Sequence, residues 1–145
     1  MSGMVDTNIL LYAANRDAPE HESACGFLNA CGADAGLWFL TEGICYEFLR
    51  VATHTRVFPR PLSSREAMGF LDALLVSGRF EILSAGARHW ELLKQILKPL
   101  PRASGNLFFD IRTVASMCEH AVRLLYTADT DFLQFPQIEV RNPLV

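Results

Sequence analysis

The feature that most restricts the fold of this 145-residue chain is a repeated alternation of short apolar runs with longer segments whose apolar residues recur every three or four positions. Met4, Val5 and Asp6 read as a very short strand that passes through Thr7 into a helix over residues 8–14. Asp17-Ala18-Pro19-Glu20 reads as a second helix start, with proline in its first turn, running to about Cys31 before Gly32 stops it. Residues 36–40 form a buried strand, Thr41 caps a helix through Ala52, and Ser63 caps another to about Val76. Residues 80–83 are a strand and 84–97 a helix, followed by a loop over 98–106. A helix then starts near Leu107 and passes Asp110, Val114 and Met117, and residues 122–127 form a last apolar strand leading to Asp129. Strands separated so regularly by helices predict an α/β sandwich around a mainly parallel sheet, in a single domain over residues 1–145.

The size suits one hydrophobic core, and 50% apolar residues against 20% charged ones exclude a disordered chain. A net charge of -3 excludes a protein that grips nucleic acid through a broad basic surface, although nucleic acid can still be a substrate. Cys25, Cys31, Cys45 and Cys118 form no CxxC pair and no set at zinc-ligand spacing, and nothing before Val5 reads as a secretory leader. Reduced thiols in a soluble, cytoplasmic protein are the expectation. No apolar run reaches the roughly 18 to 20 residues that cross a bilayer.

In sheets of this kind ligands gather outside the carboxyl ends of the strands. Asp6, Asp129 and Asp131 all follow apolar strands there, where packing gives no reason for several anions. One such acid is explained as a helix cap, and Glu47 as a partner of Arg50 one turn along its helix. Several together are not, because two carboxylates about 4 Å apart repel by roughly 4 kcal/mol at an effective dielectric of about 20. The cluster must hold protons or a cation. Carboxylates without imidazole or thiolate suit magnesium or manganese.

The residues then match a known pattern. Val5-Asp6-Thr7-Asn8-Ile9-Leu10-Leu11-Tyr12 resembles the opening of the PIN-domain nucleases, especially the VapC-type toxins of toxin-antitoxin modules. The helix from Glu47 through Arg50 to Phe58, the segment from Gly105 to Asp110, and Thr127-Ala128-Asp129-Thr130-Asp131-Phe132 resemble that family's second, third and fourth acidic segments. Phe109 departs from the pattern, standing before Asp110 where the family commonly has a polar residue. The resemblance runs from Met4 to Asn142-Pro143-Leu144 and implies a PIN-like three-layer sandwich with helices on both sides of the sheet. It also implies a metal-dependent endoribonuclease with Asp6, Glu47, Asp110 and Asp129 as its acidic quartet. Asp6, Asp110 and Asp129 would bind Mg2+ or Mn2+, with Asp131 as an auxiliary acid. The implied partners are an RNA substrate and a cognate antitoxin.

Around that quartet, Asn8 and Thr127 flank two of the acids and are candidates to orient bound water or a phosphate oxygen, or simply to form caps and turns. Arg50, Arg56, Arg60 and Arg112 are the candidate phosphate contacts. Phe27, Leu28, Phe70 and Leu74 are candidates for a groove that takes an antitoxin helix or for a homodimer face, against ordinary core packing. Trp38 and Trp90 read as core residues, and the four histidines form no catalytic spacing. Two other functions fit the residues less well. One is a phosphatase or phosphotransferase using Asp129 and Asp131 as a nucleophile pair; the other is a non-catalytic module whose acids only cap helices.

Overall fold

A strand buried at every residue must lie inside a sheet covered on both faces, and the first strand, β1 (Gly3–Val5), is such a strand. The computed structural model describes residues 2–145. After β1 the chain forms α1 (Thr7–Ala14), α2 (His21–Ala33), β2 (Trp38–Thr41), α3 (Glu42–Ala52), α4 (Ser64–Val76) and β3 (Phe80–Leu83). It continues through α5 (His89–Leu97), α6 (Leu107–Glu119), β4 (Leu124–Tyr126), a 3-10 turn (Thr130–Gln134) and β5 (Glu139–Arg141). Among the described residues the strands make one sheet in the order β3-β2-β1-β4-β5, every pair parallel, with Met4 opposite Phe39 and Val5 opposite Tyr126. Six helices flank it as the outer layers of an α/β sandwich, and α3 packs against α1, α4 and α6.

The strand order creates the position that matters. The chain steps outward from β1 to β2 to β3, then returns across the sheet to place β4 on the other side of β1. Connections leaving β1 and β4 therefore diverge, and a crevice opens at the carboxyl ends of these two strands. Beneath it the core is anchored by Phe27, Trp38 and Tyr126, whose ring centroids lie 4.9 to 5.6 Å apart. Phe27 thus packs inward from α2 and is not part of an open face.

The structure moves several expected boundaries, each for a physical reason. The segment before α2 is a turn rather than its first turn: Asp17 accepts two hydrogen bonds from the Arg60 guanidinium at 2.9 and 3.1 Å, and α2 starts only at His21. Gly32 does not stop α2, because it does not adopt the left-handed conformation of a terminating glycine, and the helix ends beyond it at Ala33. The Asp34 side chain accepts from the Gly36 N–H at 3.0 Å and delays β2 to Trp38. Trp90, expected in the core, is 67% exposed on α5. The 3-10 turn and β5 carry no clear periodicity; β5 is an edge strand with Glu139 and Arg141 exposed. The cysteines are free, and no described helix is long and apolar enough to cross a membrane.

α5 begins at His89 rather than Ser84 because a distant carboxylate organises the segment before it. Glu119, at the end of α6, accepts from the backbone N–H of Gly86 at 2.8 Å and of Arg88 at 3.0 Å, while Arg88 donates back to the Glu119 carbonyl at 2.9 Å. A Cβ on Gly86 would lie 2.7 Å from a Glu119 carboxylate oxygen, so a larger residue there would have to displace the carboxylate. Glu119→Ala is expected to speed amide hydrogen exchange at Gly86 and Arg88 and to lower the thermal midpoint. Unchanged exchange at those two amides would show that the clasp does not hold the loop.

Candidate active site

Asp6 enters the crevice because it is both the residue after β1 and the cap of α1. Its Oδ1 accepts from the Thr7 N–H at 2.8 Å, satisfying a donor that the helix leaves unpaired. Its Oδ2 accepts from the Thr127 hydroxyl at 2.8 Å and from Asn8 Nδ2 at 3.0 Å. Asn8 also donates to Thr127 Oγ1 at 2.8 Å and accepts from the Ala128 N–H at 3.0 Å, and the Asp129 N–H donates to Thr127 Oγ1 at 3.0 Å. The exits of β1 and β4 are thereby stitched into one hydrogen-bonded unit. Asn8 and Thr127 sit at its centre, where the sequence places them beside the acids.

Glu47 arrives from α3, which Thr41 caps through a 3.0 Å bond from the Ile44 N–H, and Asp110 arrives in the first turn of α6. Asp129 caps the 3-10 turn by accepting from the Asp131 N–H at 2.9 Å, which turns Asp131 back toward the same place. Asp6, Glu47, Asp110 and Asp129 all line one cleft of about 730 Å³, together with Asn8, Arg50 and Arg112. Asp110, Asp129 and Asp131 lie closest, each offering a carboxylate oxygen within 4.8 Å of the others. Asp6 stands outside that tight group. Its Oδ1 accepts a single bond, which leaves a lone pair available.

The charges act on one another. Burial pushes the Asp6 carboxyl up to about 6, against the Thr127 and Thr7 hydrogen bonds, and Glu47 and Asp129 raise it further. Burial also pushes Asp110 up to about 7, followed by repulsion from Asp129, Asp6, Asp131 and Glu47. Among the described residues Glu47 makes no ion pair, so the alternative in which it merely partners Arg50 is not formed. Of the expected phosphate contacts, Arg50 and Arg112 line the cleft, whereas Arg60 is committed to Asp17. The sequence gives no role to Tyr46 and marks Phe109 only as a departure from the family pattern, yet both line the same cleft. Each stands immediately before an acid, which was the available signal.

Comparison with known proteins gives the family and the fold. The PIN domain family model matches residues 3–138. Ribonuclease VapC43 of Mycobacterium tuberculosis is 34% identical over 140 residues, covering 97% of this chain and 94% of that protein. Ribonuclease VapC48 of the same species is 27% identical over 143 residues, covering 99% and 98%. Among solved structures, VapBC2 from Rickettsia felis, bound to a DNA fragment from its promoter, superposes with a TM-score of 0.70 at 19% identity, covering 98% of each chain. VapC20 of M. tuberculosis, a toxin that cleaves the sarcin-ricin loop, superposes at 0.66 and 17% identity, covering 95% of this chain and 98% of that one.

The raised carboxyls have a measurable consequence in metal-free protein. An Asp that titrates near 3.8 when unfolded but near 7 when folded makes the folded state the better proton binder over that interval, so its contribution to stability falls as pH rises. Asp110→Asn removes the contribution. In chelator, the thermal midpoint of Asp110→Asn is expected to gain on that of the unmutated chain as pH is raised from about 4 to about 8. A variant-minus-unmutated difference in midpoint that stays constant or falls over that range would mean that the Asp110 carboxyl is not raised by its burial and its acidic neighbours.

Proposed function

This chain belongs to the PIN-domain family, among the VapC proteins, and on that premise we propose that it is a magnesium-dependent endoribonuclease toxin restrained by a cognate antitoxin. The observation that carries the reading is the convergence of four carboxylates, Asp6, Glu47, Asp110 and Asp129, on one cleft at the switch point of a parallel sheet, with Asp131 beside two of them and two of the four raised well above the ordinary carboxylate range. A protein does not gather anions this way for packing. A divalent cation offsets their repulsion, and an all-oxygen donor set fits magnesium or manganese better than zinc or copper.

Asp110, Asp129 and Asp131 are the residues that would hold the ion, with the free lone pair of Asp6 as a further donor. When bound, such an ion supplies Lewis-acid stabilisation of phosphate charge and lowers the pKa of water. Thr127, Asn8 and the Thr7 N–H fix the Asp6 carboxylate so that it faces the cleft in one orientation. Glu47, unpaired in the cleft, is placed to accept a proton from the attacking water. Arg50 and Arg112 supply positive charge for the phosphates of an RNA that the net charge of -3 would otherwise repel.

Away from the cleft, an apolar groove of about 370 Å³ runs between α2 and α4, lined by Leu28, Phe70 and Leu74 with Ala13, Cys25 and Phe80. It suits the apolar face of a partner helix, and the VapBC assemblies among the similar structures make an antitoxin the partner proposed for it. Phe27, packed on Trp38 and Tyr126, is not part of it.

Purified protein is expected to cut labelled single-stranded RNA with magnesium or manganese and not with chelator. Asp6→Ala and Asp110→Asn should both fall to the chelator level while keeping their circular dichroism spectra. Cutting that persists in chelator, or full activity in both variants, would refute the mechanism.

A further inference from the structure

The two helices that deliver Glu47 and Asp110 carry the same short pattern. On α3, Tyr46 stands immediately before Glu47, and Arg50 follows one turn after the ring. On α6, Phe109 stands immediately before Asp110, and Arg112 follows three residues after the ring. Side chains three or four residues apart share a helix face, so each ring is neighbour to its own arginine. The helices pack against each other, and all six side chains line the one cleft.

Packing does not account for the rings. Tyr46 is 72% and Phe109 59% exposed, although the core has drawn in Phe48, Phe58, Phe80, Phe132 and Phe135. Nor does ion pairing account for the arginines. Among the described residues neither guanidinium has a hydrogen bond or salt bridge, and that of Arg112 lies against the backbone of Gly43, where a Cβ would come within 3.1 Å of its Cζ. Exposed aromatic faces beside unpaired guanidinium groups in one cleft are the combination that holds single-stranded nucleic acid: bases stack on the rings and phosphates meet the cations.

We propose that Tyr46 and Phe109 are stacking platforms for unpaired nucleobases flanking the acidic cluster, with Arg50 and Arg112 on the adjoining phosphates. The proposal rests on the ribonuclease reading above. Any base offers a face to stack, so the rings select the state of the strand and not its sequence. In a duplex those faces are already covered by neighbouring bases. The same four residues also give a chain of net negative charge a local attraction for RNA next to a cluster that repels it.

The test uses the full chain carrying Asp110→Asn, in magnesium, titrated into single-stranded RNA with 2-aminopurine at successive positions, so that stacking is read as fluorescence quenching without turnover. On this background Tyr46→Leu and Phe109→Leu keep apolar bulk and lose the π face. Each is expected to weaken binding by about tenfold and to abolish quenching at one position, with thermal midpoints unchanged. Arg112→Gln is expected to weaken binding, reduce its salt dependence and retain the quench. A duplex of the same sequence should bind at least about tenfold more weakly than the single strand.

Unchanged affinity and quenching in both leucine variants would overturn the proposal, as would equal binding of duplex and single strand. So would a leucine variant that alters the molecular mass in solution while leaving RNA affinity intact, since that assigns the rings to an interface between copies of the chain. Cleavage by the unmutated chain separates the two readings. RNA that is bound and quenched but never cut upholds the stacking site and refutes the hydrolytic function; RNA that is cut without quenching does the reverse.

Discussion

Everything at the crevice depends on how one buried carboxylate is held. Asp6 follows directly on an interior strand and caps the next helix, so its backbone has little freedom, and the Thr127 hydroxyl and Asn8 amide fix what remains of its side chain. Because Thr127 lies just beyond β4, the same bonds tie together the two strands between which the sheet reverses its order. Asp129 and Asp131 are positioned from that knot by successive turn bonds. Asp110 and Glu47 then close on it from helices that touch each other. The arrangement is ordered by hydrogen bonds and opposed by its own charge, which is the condition under which a cation organises a site at little structural cost.

Most of the fold could be read from the sequence because the elements near the site announce themselves locally. Thr41 and Ser63 cap the helices that they precede, and Ser63 with Glu66 completes a capping box. The errors fall where a distant residue decides the local conformation. Residues 84–88 have helical composition, yet Glu119 takes their N–H groups from over thirty positions away. The Asp17 segment looks like a helix start, but Arg60 holds it as a turn. A chain read in windows does not contain those partners. β5 was invisible for another reason: an exposed edge strand of Glu139, Val140 and Arg141 needs no apolar alternation.

The site was legible to a similar degree. Acids at strand ends can be listed from sequence, and the chain pattern from Val5 to Phe132 supplied their grouping through family resemblance. What sequence could not order was their spacing. Asp131, which the sequence ranks as auxiliary, stands with Asp110 and Asp129, while Asp6 stands slightly apart with both oxygens engaged. The same limit left Tyr46 and Phe109 without a role. Only the packing of α3 against α6 shows that both rings stay outside the core and face one cleft.

These observations make one electrostatic claim: the carboxylates at the β1 and β4 exits form a single site for a divalent cation. Crystals of the protein grown with manganese test it most directly, through anomalous scattering at the manganese edge. A peak is expected among Asp110, Asp129 and Asp131, within reach of Asp6, and it should disappear in Asp110→Asn. A peak elsewhere on the molecule, or an ion that remains in the variant, would contradict it.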